Sequence, residues 1–187
     1  MDGSVVSFRA ATGEDAEDVA ALHAESWRRH YRGAYADSFL DGDVLADRRA
    51  VWSARLTEPA PDGVTLVAEI DSELAGFVHV VLDQDARWGS LVDNLHVYPA
   101  HHRHGIGAGL MHRAAGTVLD RGATDAMYLW VLEQNTAAQS FYTAVGGRIA
   151  ERSYVEPPGD APGRLNGRPA KLRCVWPDVR DLLSRQR

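Results

Sequence analysis

The spacing of apolar positions changes rhythm several times along the chain, and each change predicts an element. Residues 5–10 read as a first strand. From residue 13 the spacing lengthens to three and four: Ala16, Val19, Ala20 and Trp27 share a face, with Tyr31 one turn beyond. A helix is therefore expected over 13–31. Thr12 with Asp15 three positions on forms a capping-box pattern, Glu14 and Asp15 supply an acidic first turn, and Gly33 ends the run. A second helical stretch covers 43–56 and is closed by Pro59 and the Pro-Asp-Gly turn at 61–63. The β-branched runs 64–70 and 74–82, joined by Asp71, Ser72 and Glu73, predict an antiparallel hairpin. A turn over 83–89 leads to a strand over 90–98.

After Gly105, Ile106, Leu110, Ala114 and Val118 recur every fourth position with Met111, Ala115 and Leu119 alongside, a stripe broad enough to pack on a sheet. Gly122 stands where a left-handed helix end is expected. Residues 126–132 are apolar or aromatic without alternation, as in a strand buried on both faces. Strand, helix and strand make a parallel, right-handed crossover. Asn135 caps a further helix bearing Ala138, Phe141, Tyr142 and Val145 on one side, stopped by Gly146 and Gly147. Residues 148–155 and 169–175 read as the last strands, 156–167 as a mobile Pro- and Gly-rich loop, and 178–187 as a short final helix. No repeat or linker divides the chain. The expectation is one domain over 1–187 of α/β (α+β mixed sheet) class, with a mostly antiparallel sheet and one parallel crossover.

Composition narrows the function. The 187 residues, 45% hydrophobic and 25% charged, suit one globular domain. A net charge of −6 without a basic stripe argues against nucleic acid and weakly favours cationic substrates. No apolar run approaches the roughly 20 residues that span a bilayer, so no membrane partner is expected. The opening MDGSVVSFRA lacks the basic and apolar regions of an export signal, and a cytoplasmic location is expected. Cys174 is the single cysteine, inside an apolar strand, and reads as core filler.

The chemistry concentrates in residues 92–111, VDNLHVYPAHHRHGIGAGLM. A strand runs into proline, then a basic turn, then a Gly-Ile-Gly pair that opens a helix. Helix starts present unpaired N–H groups and partial positive charge, and glycines let an anion reach them. The stretch from His104 to Gly109 supplies such amides, and Arg103 adds a guanidinium. His101, His102 and His104 crowd too closely for a metal site, so none is expected. A dinucleotide fold is excluded: its third small residue would fall at Leu110, and the loop follows an antiparallel hairpin halfway along the chain.

NLHVYP at 94–99, GIG at 105–107 and LWVLEQNTAAQSFY at 129–142 together resemble, in order and spacing, the GNAT superfamily of N-acetyltransferases, over roughly residues 5–175. The resemblance implies a GNAT-like fold whose crossover strands splay apart to admit acetyl-CoA. A bulge near Leu95, His96 and Val97 would free main-chain groups for the pantetheine arm and the thioester carbonyl. His102, Arg103, His104, Gly105, Ile106, Gly107 and Ala108 would hold the diphosphate, and Asn135 would add a pantetheine contact to its cap. Tyr142 would give a proton to the departing thiolate. The family usually places Arg or Gln where His102 stands, so cofactor affinity is expected to weaken as pH rises through the histidine range near ~6.5.

The segment SWRRHYRGAY at 26–35 resembles a subset of the family in which this region walls the acceptor pocket. Trp27, Tyr31 and Tyr35 are candidate substrate-binding residues, with ordinary core packing the competing reading for Trp27; Trp130 reads as core. The family's strand glutamate falls near Leu91, leaving Asp93, His96, Glu25 or water as general base. The implied activity is acetyl transfer from acetyl-CoA to a primary amine of a small molecule or peptide, by direct attack in a ternary complex. The alternative is a coenzyme A-binding module without turnover, a sensor or partner subunit, against which Tyr142 counts. A homodimer through sheet edges or terminal strands is a further expectation.

Overall fold

The computed structural model describes residues 5–184. Its strands are β1 (Val6–Ala10), β2 (Gly63–Ile70), β3 (Glu73–Asp85), β4 (Gly89–Val97), β5 (Met127–Leu132), β6 (Arg148–Tyr154) and β7 (Ala170–Trp176). They form one sheet in the order β1-β2-β3-β4-β5-β7-β6. Every neighbouring pair is antiparallel except β4 and β5, which run parallel. The helices are α1 (Ala16–His30), α2 (Asp37–Leu40), α3 (Val44–Thr57), α4 (Ile106–Arg121), α5 (Thr136–Ala144) and α6 (Arg180–Ser184). The expected mixed sheet with its parallel crossover, β4-α4-β5, is thus present.

The apolar stripes decide which face each helix covers. Ile106, Leu110, Met111, Ala114, Ala115 and Val118 of α4 enter a core with Val78, Val80, Val92, Met127, Leu129, Cys174 and Trp176. Cys174 is core, as expected, and burial raises its thiol pKa to about 11. On the opposite face Val19, Ala20 and Leu22 of α1 meet Trp52 of α3 and Val67 and Phe77 of the sheet. Gly109 permits the close fit of α4 on β1, since a Cβ there would lie 2.6 Å from Phe8 Cζ.

The hairpin closes as a tight turn, with Ile70 paired to Glu73. Its two central residues, Asp71 and Ser72, both take positive φ, as such a turn requires. The Thr12 amide donates to the Asp15 carboxylate at 2.7 Å, the back half of the capping box. Several boundaries differ from expectation. β3 runs on to Asp85, so only residues 86–88 turn. The short α2 carries too few residues for a periodic signal. Gly122 is extended (φ −73°, ψ 152°) rather than left-handed; a Cβ there would sit 2.7 Å from the Val118 carbonyl, so crowding explains the glycine.

Residues 156–167 form a pinned segment, not a mobile loop. Two tight turns, Pro158–Asp160 and Pro162–Arg164, lie in this segment, which is tied to the α1–α2 connection. The Ala36 amide donates to the Arg164 carbonyl at 2.9 Å, the Asn166 amide donates to the Ala34 carbonyl at 2.9 Å, and the Arg164 guanidinium pairs with Asp47. The expected final helix is observed as α6; its last three positions, 185–187, lie outside the described residues, as do residues 1–4. Among the described residues no helix is long and apolar enough to cross a membrane.

Candidate active site

β4 and β5 pair only at Ser90 with Met127 and Leu91 with Tyr128, then part. β4 stays on β3 as far as Val97 opposite Gly76. The Tyr98 amide donates to the Ala75 carbonyl at 2.9 Å, which sets the bonded register. In an antiparallel pair bonded and non-bonded positions alternate, so Leu95 and Val97 turn their N–H and C=O groups away from β3, into the gap.

The bulge lies earlier than expected. His79 pairs with Asn94 and Val80 with Val92, so the extra residue is Asp93, not one of Leu95–Val97. The bulge resets parity. Val92 and Leu95 face the α4 core, while Asp93 and Asn94 both face α3, where Arg55 reaches the Asp93 carboxylate at 2.9 Å and Asn94 Oδ1 at 3.1 Å.

A cleft of about 500 Å³ fills the gap. Leu95, His96 and Val97 form one wall and Trp130, Val131 and Leu132 the other; α5 closes it through Asn135, Phe141 and Tyr142. His102, Arg103, Gly105, Ile106, Gly107 and Ala108 line its basic end. His104 does not: it sits exposed between bends at Arg103 and Gly105, both at positive φ, that turn it to solvent. Gly105 is the residue before α4, and a Cβ there would meet nothing within 4 Å. The amides of the first turn of α4 have no partner within the helix, and no acidic side chain occupies that turn. Gly107 serves a different purpose, since its Cβ would press on Phe141 Cζ at 3.2 Å. His102 Nε2 donates to the Val97 carbonyl at 3.0 Å, so its remaining nitrogen can donate to an anion only when the ring is protonated.

At the other end Asn135 Oδ1 accepts the Ala138 amide at 3.1 Å, the expected cap. The Tyr142 ring meets Phe141 and Trp176 edge to face at 5.3 and 6.2 Å. Burial raises its phenol pKa well above the usual 10, so the hydroxyl stays protonated at neutral pH. Ser26 and His30 of α1 also line the cleft, and nothing in the sequence distinguishes them from other polar helix positions. Ser26 Oγ lies 2.7 Å from His96 Nδ1. Burial, then the positive charges of His30 and Arg48, lowers the His96 pKa to about 3, which makes it a poor base. Glu25 is removed from the site: its half-exposed carboxylate faces Arg29 at 4.0 Å and lines neither cavity.

A second cavity of about 300 Å³ meets the first at Tyr31, Trp130, Val131 and Leu132. Trp27, Tyr31 and Tyr35 all line it, with Arg48, Arg55, Asp93, Glu156 and Lys171. Trp27 stacks on Tyr31 at 5.4 Å and meets Tyr35 edge-on at 5.0 Å. Trp27 is also core, 7% exposed and packed with Phe39 and Val44, and only its edge reaches the cavity. Burial raises the Tyr31 pKa to about 12. Trp130 is a wall residue and not core. Met127, Leu129 and Val131 of β5 enter the α4 core, and strand alternation sends Trp130 to the other face.

A mixed α/β sheet splayed at its parallel pair, with bare helix amides at the mouth of the gap, defines the class of the molecule. The model of the acetyltransferase (GNAT) family matches residues 14–146, and the chain belongs to that family. It is 32% identical over 149 residues to an uncharacterized N-acetyltransferase of Archaeoglobus fulgidus, covering 74% of this chain and 90% of that one. It is 25% identical over 153 residues to the uncharacterized N-acetyltransferase YuaI of Bacillus subtilis, covering 80% and 85%. In fold it is similar to the PaiA N-acetyltransferase of Thermoplasma acidophilum, solved in complex with coenzyme A. That likeness has a TM-score of 0.69 at 20% identity and covers 90% of this chain and 98% of that one.

Proposed function

We propose that the protein transfers the acetyl group of acetyl-CoA to a primary amine by direct attack in a ternary complex. One observation carries this: the β4–β5 gap, with unpartnered helix amides at one end and Tyr142 at the other, opens into a second, aromatic and charged cavity. The donor's diphosphate lies on the amides of residues 105–108 with Arg103 and His102 beside it, and its pantetheine arm runs along Leu95–Val97 toward Asn135. The acceptor amine enters from the second cavity.

The attacking nitrogen must be neutral, and the carbonyl oxygen gains charge as the C–N bond forms. A main-chain amide of the β4 segment turned into the gap meets that oxygen. Collapse breaks the C–S bond, and the Tyr142 hydroxyl gives its proton to the sulfur, regaining one from water. Of the candidate bases Asp93 is the carboxylate on the acceptor side, and it takes the amine's proton directly or through water. Thiol release from acetyl-CoA over a panel of amines tests the proposal. Release with at least one amine is expected; stabilisation by acetyl-CoA with no release from any would favour the binding-only module.

A further inference from the structure

We infer that the acceptor is an amine that also carries a carboxylate, an amino-acid-like molecule, and that Lys171 is the residue that receives the carboxylate. This rests on the reading of the second cavity as the acceptor site, and it assigns the substrate class that reading leaves open.

The charges on the cavity wall are unequal once their partners are counted. Arg48 is held by Asp47 and lies 4.3 Å over the Trp27 ring. Arg55 is held by Asp93 at 2.9 Å. Lys171 forms no ion pair among the described residues. It is half-buried on β7 opposite Leu132, with Nζ 4.5 Å from the Trp130 ring centre. Its pKa is lowered, first by burial. An ammonium placed this way is attracted to the aromatic face and has no carboxylate at contact distance among the described residues. Glu156, exposed beside the cavity, opposes that lowering of the pKa through its charge but forms no ion pair with Lys171.

The cavity therefore carries opposite charges on different strands. Asp93 stands on β4, at the bulge beside the gap where the amine reacts, and Lys171 stands on β7, with β5 and its Trp130 between those strands in the sheet. An acceptor with a second positive charge would meet Lys171 there. The overall charge of −6 does not reverse this. Distant surface charge is largely screened by salt, while a half-buried lysine acts at contact. The cavity volume of about 300 Å³ is at the small end for ligand sites, which suits an amino acid better than a folded protein terminus or an oligosaccharide amine.

The test compares matched pairs differing only in the carboxylate: phenylalanine with phenethylamine, tryptophan with tryptamine, and methionine with 3-methylthiopropylamine. For the preferred pair, kcat/KM from acetyl-CoA thiol release is expected to be roughly tenfold or more higher for the amino acid. Lys171→Arg keeps that ratio and Lys171→Met brings it near one. A ratio near one in the wild type, or one unchanged by Lys171→Met, overturns the inference even though release itself upholds acetyl transfer. If no amine releases thiol, the same pairs are read by melting temperature in the presence of coenzyme A. A larger shift with the amino acid, lost in Lys171→Met, supports the ligand class while rejecting turnover; equal shifts overturn it.

Discussion

Ser26 Oγ and His96 Nδ1 stand 2.7 Å apart across the seam between α1 and β4, and the imidazole at this contact is held neutral. His96 is one of four such rings among the described residues, with His30, lowered first by burial, beside it on the cleft. His79, beside Thr65 Oγ1 at 2.8 Å, has a pKa lowered to about 4 by burial and then Arg55. His23, which accepts the Trp52 indole N–H at 2.9 Å, is lowered well below 6.5 by burial. Well above pH ~6.5 these rings are neutral in both folded and unfolded chains. Below it the unfolded chain takes up protons that the folded chain refuses, so stability is lost as pH falls from about 6.5 towards 4, by up to ~1.4 kcal/mol per pH unit for each ring. Urea midpoints at pH 7.5, 6, 5 and 4.5 check this; a midpoint unchanged down to pH 5 contradicts it.

Tyr142→Phe should lower kcat by about 100-fold, the usual scale for losing a general acid, with little change in the acetyl-CoA KM. Burial, with no hydrogen bond, sets the state of the Tyr142 phenol, so the melting temperature should barely move. Wild-type turnover in this variant would leave the side chain with a packing role alone.

Asp93→Asn removes the carboxylate on the acceptor side. The expected result is a lower kcat/KM at neutral pH that recovers as pH rises toward the amine's own pKa, where solution supplies the neutral nucleophile. A pH profile parallel to wild type would assign the proton to water without Asp93.

Asn135→Ala deletes the bond to the Ala138 amide and should cost about 1 kcal/mol of stability. Because Asn135 also lines the cleft, the acetyl-CoA KM should rise in the same variant. Chemical denaturation and initial-rate kinetics on one preparation separate the two effects.

Much of this is legible in the sequence because it is local. The four-residue stripe of α4, the turn at Gly105 and the Asn135 cap each depend on near neighbours, and each stands where the pattern puts it. What depends on parity or distant partners is not. One inserted residue at Asp93 turns two polar side chains to α3, and the tight loop bends leave His104 outside while His102 stays in. Trp130 reads as core because β5 is apolar on both faces; that its second face meets a cavity depends on the 156–167 segment folding back against α1 and α2.

Donor binding depends most on the grip of the α4 amides on a diphosphate. Calorimetric titration with acetyl-CoA and with S-acetylpantetheine, which shares the thioester arm but has no diphosphate, measures that grip directly. Acetyl-CoA should bind at least about a hundredfold more tightly, the scale of two or more charge-assisted hydrogen bonds. Equal affinities, or no heat with acetyl-CoA, would contradict it.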